Sequence, residues 1–226
     1  QELCKAFHQK VTIGALSGNL FNQVKLYNVR FYNNEEFANG VLLEIGELHL
    51  NYNLFVAMRH RNDIIAGTYL MDAYKVKLNV LRNQKDLWNV LYIIPPPPKI
   101  LPPPPLTLTG KVNIHEFDIN FVDKKGWGND LIKDHFSSEF KDLAGVIDFK
   151  DRYKVKILLN GRVPDTKSPI QIKGYMNAFT GMYNFDFAIP RLDINKWGGY
   201  VFDHEGFGIE KGFFSFKGYL RSKDPY

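Results

Sequence analysis

His135 and Glu139 stand four residues apart, a spacing that on a helix aims two metal ligands from one face, and Asp130 is near enough in sequence to offer a third. Zinc sites ordinarily take three or four specific ligands, so we read this trio as a polar loop and expect no metal. Of the other histidines, His49 and His115 alternate with apolar residues and are expected to face solvent. None of the six forms an HExxH or HxH pattern. Asp148 and Asp151 bracket a turn and offer a carboxylate pair, but such pairs usually only solubilise a hairpin. GALSG, at 14–18, lacks the central serine of a nucleophile elbow. No glycine loop that would cradle a phosphate is present, and neither an enzyme nor a cofactor is expected. Tyr74-Lys75-Val76-Lys77 interleaves aromatic and basic groups, as a reader of single-stranded nucleic acid does. We place Tyr74 beside Val76 and Leu78, with the lysines opposite; stacking and charge then fall on different faces, and nucleic acid is not expected as a partner.

What positions these residues is a chain built for strands. Of its 226 residues 45% are apolar, enough for a large core, and 15% are aromatic, mostly Phe and Tyr. The formal charge of +5 suits an anionic partner, or simply a basic surface. The single cysteine, Cys4, excludes an intramolecular disulfide and any all-cysteine metal site. No run of eighteen apolar residues exists to span a bilayer. The chain begins at Gln1 in a helix-compatible segment, 2–9, and reads as a piece of something longer.

The stretch VNIHEFDINF, 112–121, carries the pattern that recurs. Val112 and Ile114 alternate with polar residues; then the phase slips by one, and Phe117, Ile119 and Phe121 continue the apolar side. Period two means a strand with one buried face, and a slip keeps that face apolar only if an extra residue bulges out. The same unit recurs at Leu26-Val29-Phe31, Ile45-Leu48-Leu50, Met71-Tyr74-Val76 and Ile189-Leu192-Ile194. Other strands are expected from Lys10 to Leu16, Tyr153 to Leu159, Pro169 to Lys173 and within 207–220. Gly174 and Gly181 are expected to break the stretch that follows Pro169 to Lys173. NLFVAMRH, 53–60, reads as a short helix capped by Asn51 or Asn53, or as a buried connector. DLWNVLYII, 86–94, reads as a short amphipathic helix.

Eight of the twelve prolines lie at 95–98 and 102–105. Such a stretch is polyproline II or irregular, and we read it as a stiff crossover between β-segments. The segments are thus 1–94, a connector at 95–105, and 106–226 continuous with the first. With eleven to thirteen strands and little helix, the expected fold is a mostly β, antiparallel sheet with one apolar face. It would close as a sandwich or barrel, or stay curved and open around an apolar groove.

Several stretches resemble the AsmA-like and TamB-like envelope proteins of the repeating β-groove group. VTIGALSGNLFNQVKLYNVRF is similar to the family's opening strands. IIAGTYLMDAYKVKLNVLRNQKDLWNVL is similar to its recurrent strand and the Trp-Asn-hydrophobic segment after it, which a proline-rich stretch commonly follows. LTLTGKVNIHEFDINFVD, FKDLAGVIDF and IQIKGYMNAFTGMYNFDFAIPRLDI resemble later units, so the likeness covers about 10–220.

The resemblance implies a curved sheet forming an open, U-shaped hydrophobic groove with one or two short helices. It implies an N-terminal helix, preceding Gln1, that anchors the full-length protein in the bacterial inner membrane, with the body in the periplasm. It implies phospholipid as cargo between inner and outer membranes, and an outer-membrane protein as a further partner at the distal end. A scaffold in outer-membrane protein assembly, or a closed β-sandwich binding module, are the alternatives. The groove-lining candidates are Leu43, Ile45, Leu48, Leu50, Val76, Leu78, Val80, Ile114, Phe117, Ile119, Phe121, Val155, Ile157, Ile170, Ile172, Phe185 and Phe187.

Overall fold

The computed structural model describes residues 9–19, 21–38, 40–59, 67–92, 110–125, 136–149, 154–163, 166–177, 182–193, 197 and 211–221. They build one curved, unclosed sheet of eleven strands. The strands are β1 (Val11–Thr12), β2 (Ala15–Asn19), β3 (Gln23–Tyr32), β4 (Val41–Tyr52), β5 (Thr68–Arg82), β6 (Lys111–Asp123), β7 (Phe136–Asp148), β8 (Lys154–Arg162), β9 (Pro169–Asn177), β10 (Tyr183–Asp193) and β11 (Phe213–Arg221). From β3 to β11 each strand lies beside the next in sequence, while β1 and β2 share the outer side of β3. One short helix, α1 (Leu54–Arg59), joins β4 to β5. Asn53 caps it, its side-chain oxygen accepting from the amides of Phe55 and Val56 at 3.0 and 3.3 Å.

Every neighbouring pair is antiparallel except β5 and β6, which run parallel. A parallel neighbour needs a return connection the length of the strand, about 40 Å from Arg82 back to the level of Leu70. The chain between β5 and β6 makes that return; its proline-rich part, 95–105, lies outside the described residues. The segment expected as an amphipathic helix at 86–94 begins instead as a turn at Asn83–Asp86. A 3-10 turn, Asn89–Tyr92, follows it. Asn89 prevents a regular helix there by plugging the sheet: its side chain accepts from the Leu81 amide at 2.8 Å and donates to the Asn79 carbonyl at 2.7 Å.

The phase slips are the main shaping device, and they differ from the bulges expected. In β3, β4, β5 and β6 they fall at one level: Tyr27-Asn28, Gly46-Glu47, Tyr74-Lys75 and His115-Glu116. Leu26, Leu48, Ala73 and Ile114 are cross-strand partners on one side of that level, and Val29, Ile45, Val76 and Phe117 on the other. An extra residue in one strand thus faces an extra residue in the next, and the ladder resumes in register. Asn28 and Lys75 take the left-handed conformation, with φ of 53° and 54°. True bulges, two residues against one, occur between β6 and β7, β7 and β8, and β10 and β11. The last contains Pro190, where no ladder amide is lost. At each slip two successive residues sit on the polar side, so the strand bends toward its apolar side.

Three sequence expectations shift by small amounts. Lys10–Leu16 is divided at Gly14 into β1 and the start of β2. Gly174 does not end its strand; β9 runs through it because a side chain there would strike Phe185 of β10. The slip in β5 is Ala73 to Val76, not Met71-Tyr74-Val76, which puts Tyr74 on the polar face.

Candidate functional site

Register assigns every side chain a face, because cross-strand partners point the same way. Leu50, Leu48, Ile45 and Leu43 of β4 stand opposite Met71, Ala73, Val76 and Leu78 of β5. Those of β5 stand beside Val112, Ile114, Phe117 and Ile119 of β6, and Val80 stands beside Phe121. Leu143, Gly145 and Ile147 of β7 carry the face on, the last two standing opposite Leu159 and Ile157 of β8. From there it passes through Val155, Ile170 and Ile172 to Phe185 and Phe187 of β10. Every candidate named from the sequence therefore lies on this one face.

The face is a trough whose floor runs from strand to strand along the row of slips. Val29, Ile45, Val76, Phe117 and Leu143 form a continuous rung there. Bending crowds their side chains together, so Val29 is 2% and Leu143 1% exposed. One apolar cluster spans Ala73, Val76, Ile114, Phe117, Leu143 and Leu159, with Leu43, Ile45, Leu48, Leu78, Ile119, Ile157 and Ile172 partly buried around it. Among the candidates, Ile119, Phe121, Phe185 and Phe187 keep part of their surface in water.

The two rims are built differently. At one, a row of aromatic rings closes over the trough: Trp88, Phe121, Phe136 and Trp197, with successive centroids 5.7, 6.0 and 4.9 Å apart. Behind Trp88, Arg82 and the fully buried Asp123 pair at 3.2 Å, and Arg82 also donates to Asp86 at 2.6 Å. Burial would lower the Arg82 pKa, but its bonds to Asp86 and Asp123 outweigh this and raise it. The Asp86 carboxyl is held below its usual range by Lys125 and by Arg82. At the other rim lie α1, the β2–β3 turn and the start of β5, where Ala57 and Tyr52 join a core cluster with Val24 and Leu26. Sequence reasoning missed the aromatic rim. Its signal was the Trp88-Asn89 pair inside the family-like segment, where the tryptophan packs on Phe121 and the asparagine holds the strand end.

The outer face is polar. Arg30 and Glu44 form an ion pair at 2.8 Å, Asn120 donates to Asn79 at 2.9 Å, and Gln171 to Asn160 at 3.1 Å. Tyr74 lies here with Lys77, so the expected separation of aromatic from basic groups does not hold at this strand. The ring is already engaged, stacked on His115 at 4.4 Å and tilted against His49 at 5.2 Å. His49 is thereby half-covered rather than facing open solvent. Asp72 accepts from Asn113 at 2.9 Å and meets the His115 ring at 3.1 Å. Its partial burial raises the carboxyl pKa, but these two hydrogen bonds prevail and hold it below its usual range.

Of the residues weighed for catalysis or metal binding, Glu139 and Asp148 are among those described. Glu139 is on a strand, not a helix, and His135, Asp130 and Asp151 lie outside the described residues. Asp148 pairs in register with Lys111 and Lys156. Among the described residues no three His, Cys, Asp or Glu side chains converge on a point, and no helix is long and apolar enough to cross a membrane. The chain matches no protein-family model and no curated protein.

Proposed function

We propose that the chain is a non-catalytic segment that shields phospholipid acyl chains in its apolar trough. In this reading it belongs to an AsmA-like or TamB-like protein of the bacterial periplasm, anchored in the inner membrane by a preceding helix. It carries phospholipid between inner and outer membranes, with an outer-membrane protein as its distal partner. One observation supports this above the others: a continuous apolar face from β3 to β11 in a sheet that does not close on itself. An acyl chain gains about 0.8 kcal/mol for each CH₂ it removes from water. A row of Leu, Ile, Val and Phe offers that gain at any position along the floor and requires no special side-chain geometry.

A second role, as a scaffold receiving β-strands of an outer-membrane protein, is favoured by one feature. Among the described residues β11 pairs only with β10, leaving its other edge able to accept a strand. Native mass spectrometry of the chain purified from membranes, with a photoreactive residue at Ile119 or Phe187, tests both. Bound phospholipid and lipid adducts are expected. Adducts to polypeptide alone would point to the scaffold, and absence of lipid from every preparation would remove the lipid reading.

A further inference from the structure

The first corner of the trough carries apolar side chains where a water-facing protein ordinarily places polar ones. Phe55 of α1 is 82% exposed and Met58 60%. Phe21, in the β2–β3 turn, is 76% exposed, and Tyr69, at the start of β5, 56%. These come from three chain segments that the fold ties together. The Tyr52 amide donates to the Asn22 carbonyl at 2.9 Å, and the Asn53 amide to the Gly67 carbonyl at 2.9 Å. The β2–β3 turn, the start of α1 and the start of β5 are therefore neighbours on one rim. Helix α1 is apolar on both sides: Leu54 and Ala57 pack inward against the core, while Phe55, Val56 and Met58 point away from it.

Charge close to the exposed apolar side chains is sparse. Arg59 ends α1, while Lys111, beside Leu70 at the same end of the sheet, is matched by Asp148 on its other side. The sequence places no Asp or Glu in 19–23, 51–59, 67–71 or 110–114. The opposite rim differs, carrying Glu35, Glu36, Asp86 and Asp123. Exposed Phe, Tyr and Met beside the basic end of a helix match the interfacial zone of an anionic bilayer. There aromatic rings settle at headgroup depth and basic side chains meet lipid phosphate.

We propose that this corner inserts shallowly into the surface of an anionic phospholipid membrane, with Phe55 and Met58 as the inserted side chains and Arg59 on the headgroups. It sets the mouth of the trough against the lipid it would receive. The inference deepens the lipid-shielding reading of the trough, yet is testable apart from it.

The test is co-sedimentation of the full chain with vesicles of phosphatidylcholine alone and of an equimolar mixture of phosphatidylcholine and phosphatidylglycerol. Binding is expected to the mixed vesicles and to weaken with salt. Phe55→Ser with Met58→Ser should lower the bound fraction about tenfold while leaving the β-type circular dichroism unchanged. Arg59→Gln should weaken binding to the mixed vesicles only. As a readout that disrupts nothing, Phe55→Trp should add emission that shifts to the blue on mixed vesicles and is quenched by brominated acyl chains. No vesicle binding by the native chain, or native-like binding by the serine variant together with an unquenched Trp at position 55, would overturn the proposal. Lipid captured in the trough, read by mass spectrometry, should be unaffected by the serine substitutions, so failure of the tip and failure of the trough give different results.

Discussion

The backbone of Gly46 passes directly beneath the Cβ of Lys75: a methyl group at position 46 would approach that carbon to 2.9 Å. The same arrangement recurs two strands outward, where a methyl group on Gly14 would lie 3.0 Å from the Cβ of Asn28. Asn28 and Lys75 are the two left-handed residues of the row of slips, and each turns its Cβ over a glycine of the adjacent strand. Glycine and a left-handed residue thus alternate along the crease from Gly14 to Lys75. This pairing lets neighbouring strands bend at one level without losing their ladder.

Gly46→Ala should therefore destabilise the fold by about 2 kcal/mol, as overpacking does when the obstructing atom is close to backbone. Lys75→Gly removes that atom and a left-handed side chain together, and should fall within about 1 kcal/mol of the native chain. The double variant should recover most of what Gly46→Ala loses. Urea unfolding of the four proteins measures the coupling; strict additivity would mean that the two residues do not share the crease.

How much of this was legible in the sequence depends on residue chemistry. The slip in β6 reads plainly, because Ile114 and Phe117 are unambiguous and His115-Glu116 between them is polar. The slip in β5 misleads, because Ala73 is a weak apolar signal and Tyr74 a strong one; only the pairing of Ala73 with Leu48 and of Tyr74 with Glu47, and the stack on His115, show that the tyrosine faces out. Every trough candidate could be assigned a face because alternation is local. That four slips align is a fact of register between strands up to about ninety residues apart, which no local pattern carries. The parallel β5–β6 pair and the Trp197 lid are long-range in the same sense.

The rim behind Trp88 should be sensitive to the loss of a single polar group. Asp123 is fully buried, so Asp123→Ala strands part of the Arg82 charge and should cost about 3 kcal/mol. Asn89→Ala leaves the Leu81 amide and Asn79 carbonyl without that side chain and should cost about 2 kcal/mol. Replacing the buried pair with Arg82→Met and Asp123→Leu together should be milder than Asp123→Ala. Chemical denaturation ranks the three, and a double variant as unstable as the single would argue that the pair does more than compensate its own charges.

Acid should loosen the outer face at Asp72. Its folded pKa is depressed, so the stabilisation is fully present above the unfolded carboxyl value of about 4. It is lost as pH falls through the lower folded value. Asp72→Asn should remove about 1 kcal/mol at neutral pH and progressively less as pH falls through the depressed folded pKa. Urea midpoints of both proteins across that range check the sign. A difference that grows on acidification would mean that the carboxylate is not what Asn113 and His115 stabilise.

Ile119 separates the trough's shape from its occupant. It stands on the inner face of β6, between Leu78 of β5 and Phe140 of β7, yet it is only partly buried. A carboxylate at this position reaches water without entering the floor, where Phe117 is packed. Ile119→Asp should therefore keep the β-type circular dichroism and lose no more than about 2 kcal/mol of stability. Its effect on lipid should be larger, because a charge beside an acyl chain forfeits the transfer of several CH₂ groups at about 0.8 kcal/mol each. The expected result is a folded chain that copurifies with at least tenfold less phospholipid. Phe117→Asp, on the floor, should instead prevent folding. If Ile119→Asp retains its full complement of lipid, the acyl chains do not pass between β5 and β7, and the apolar face of the sheet serves some other contact.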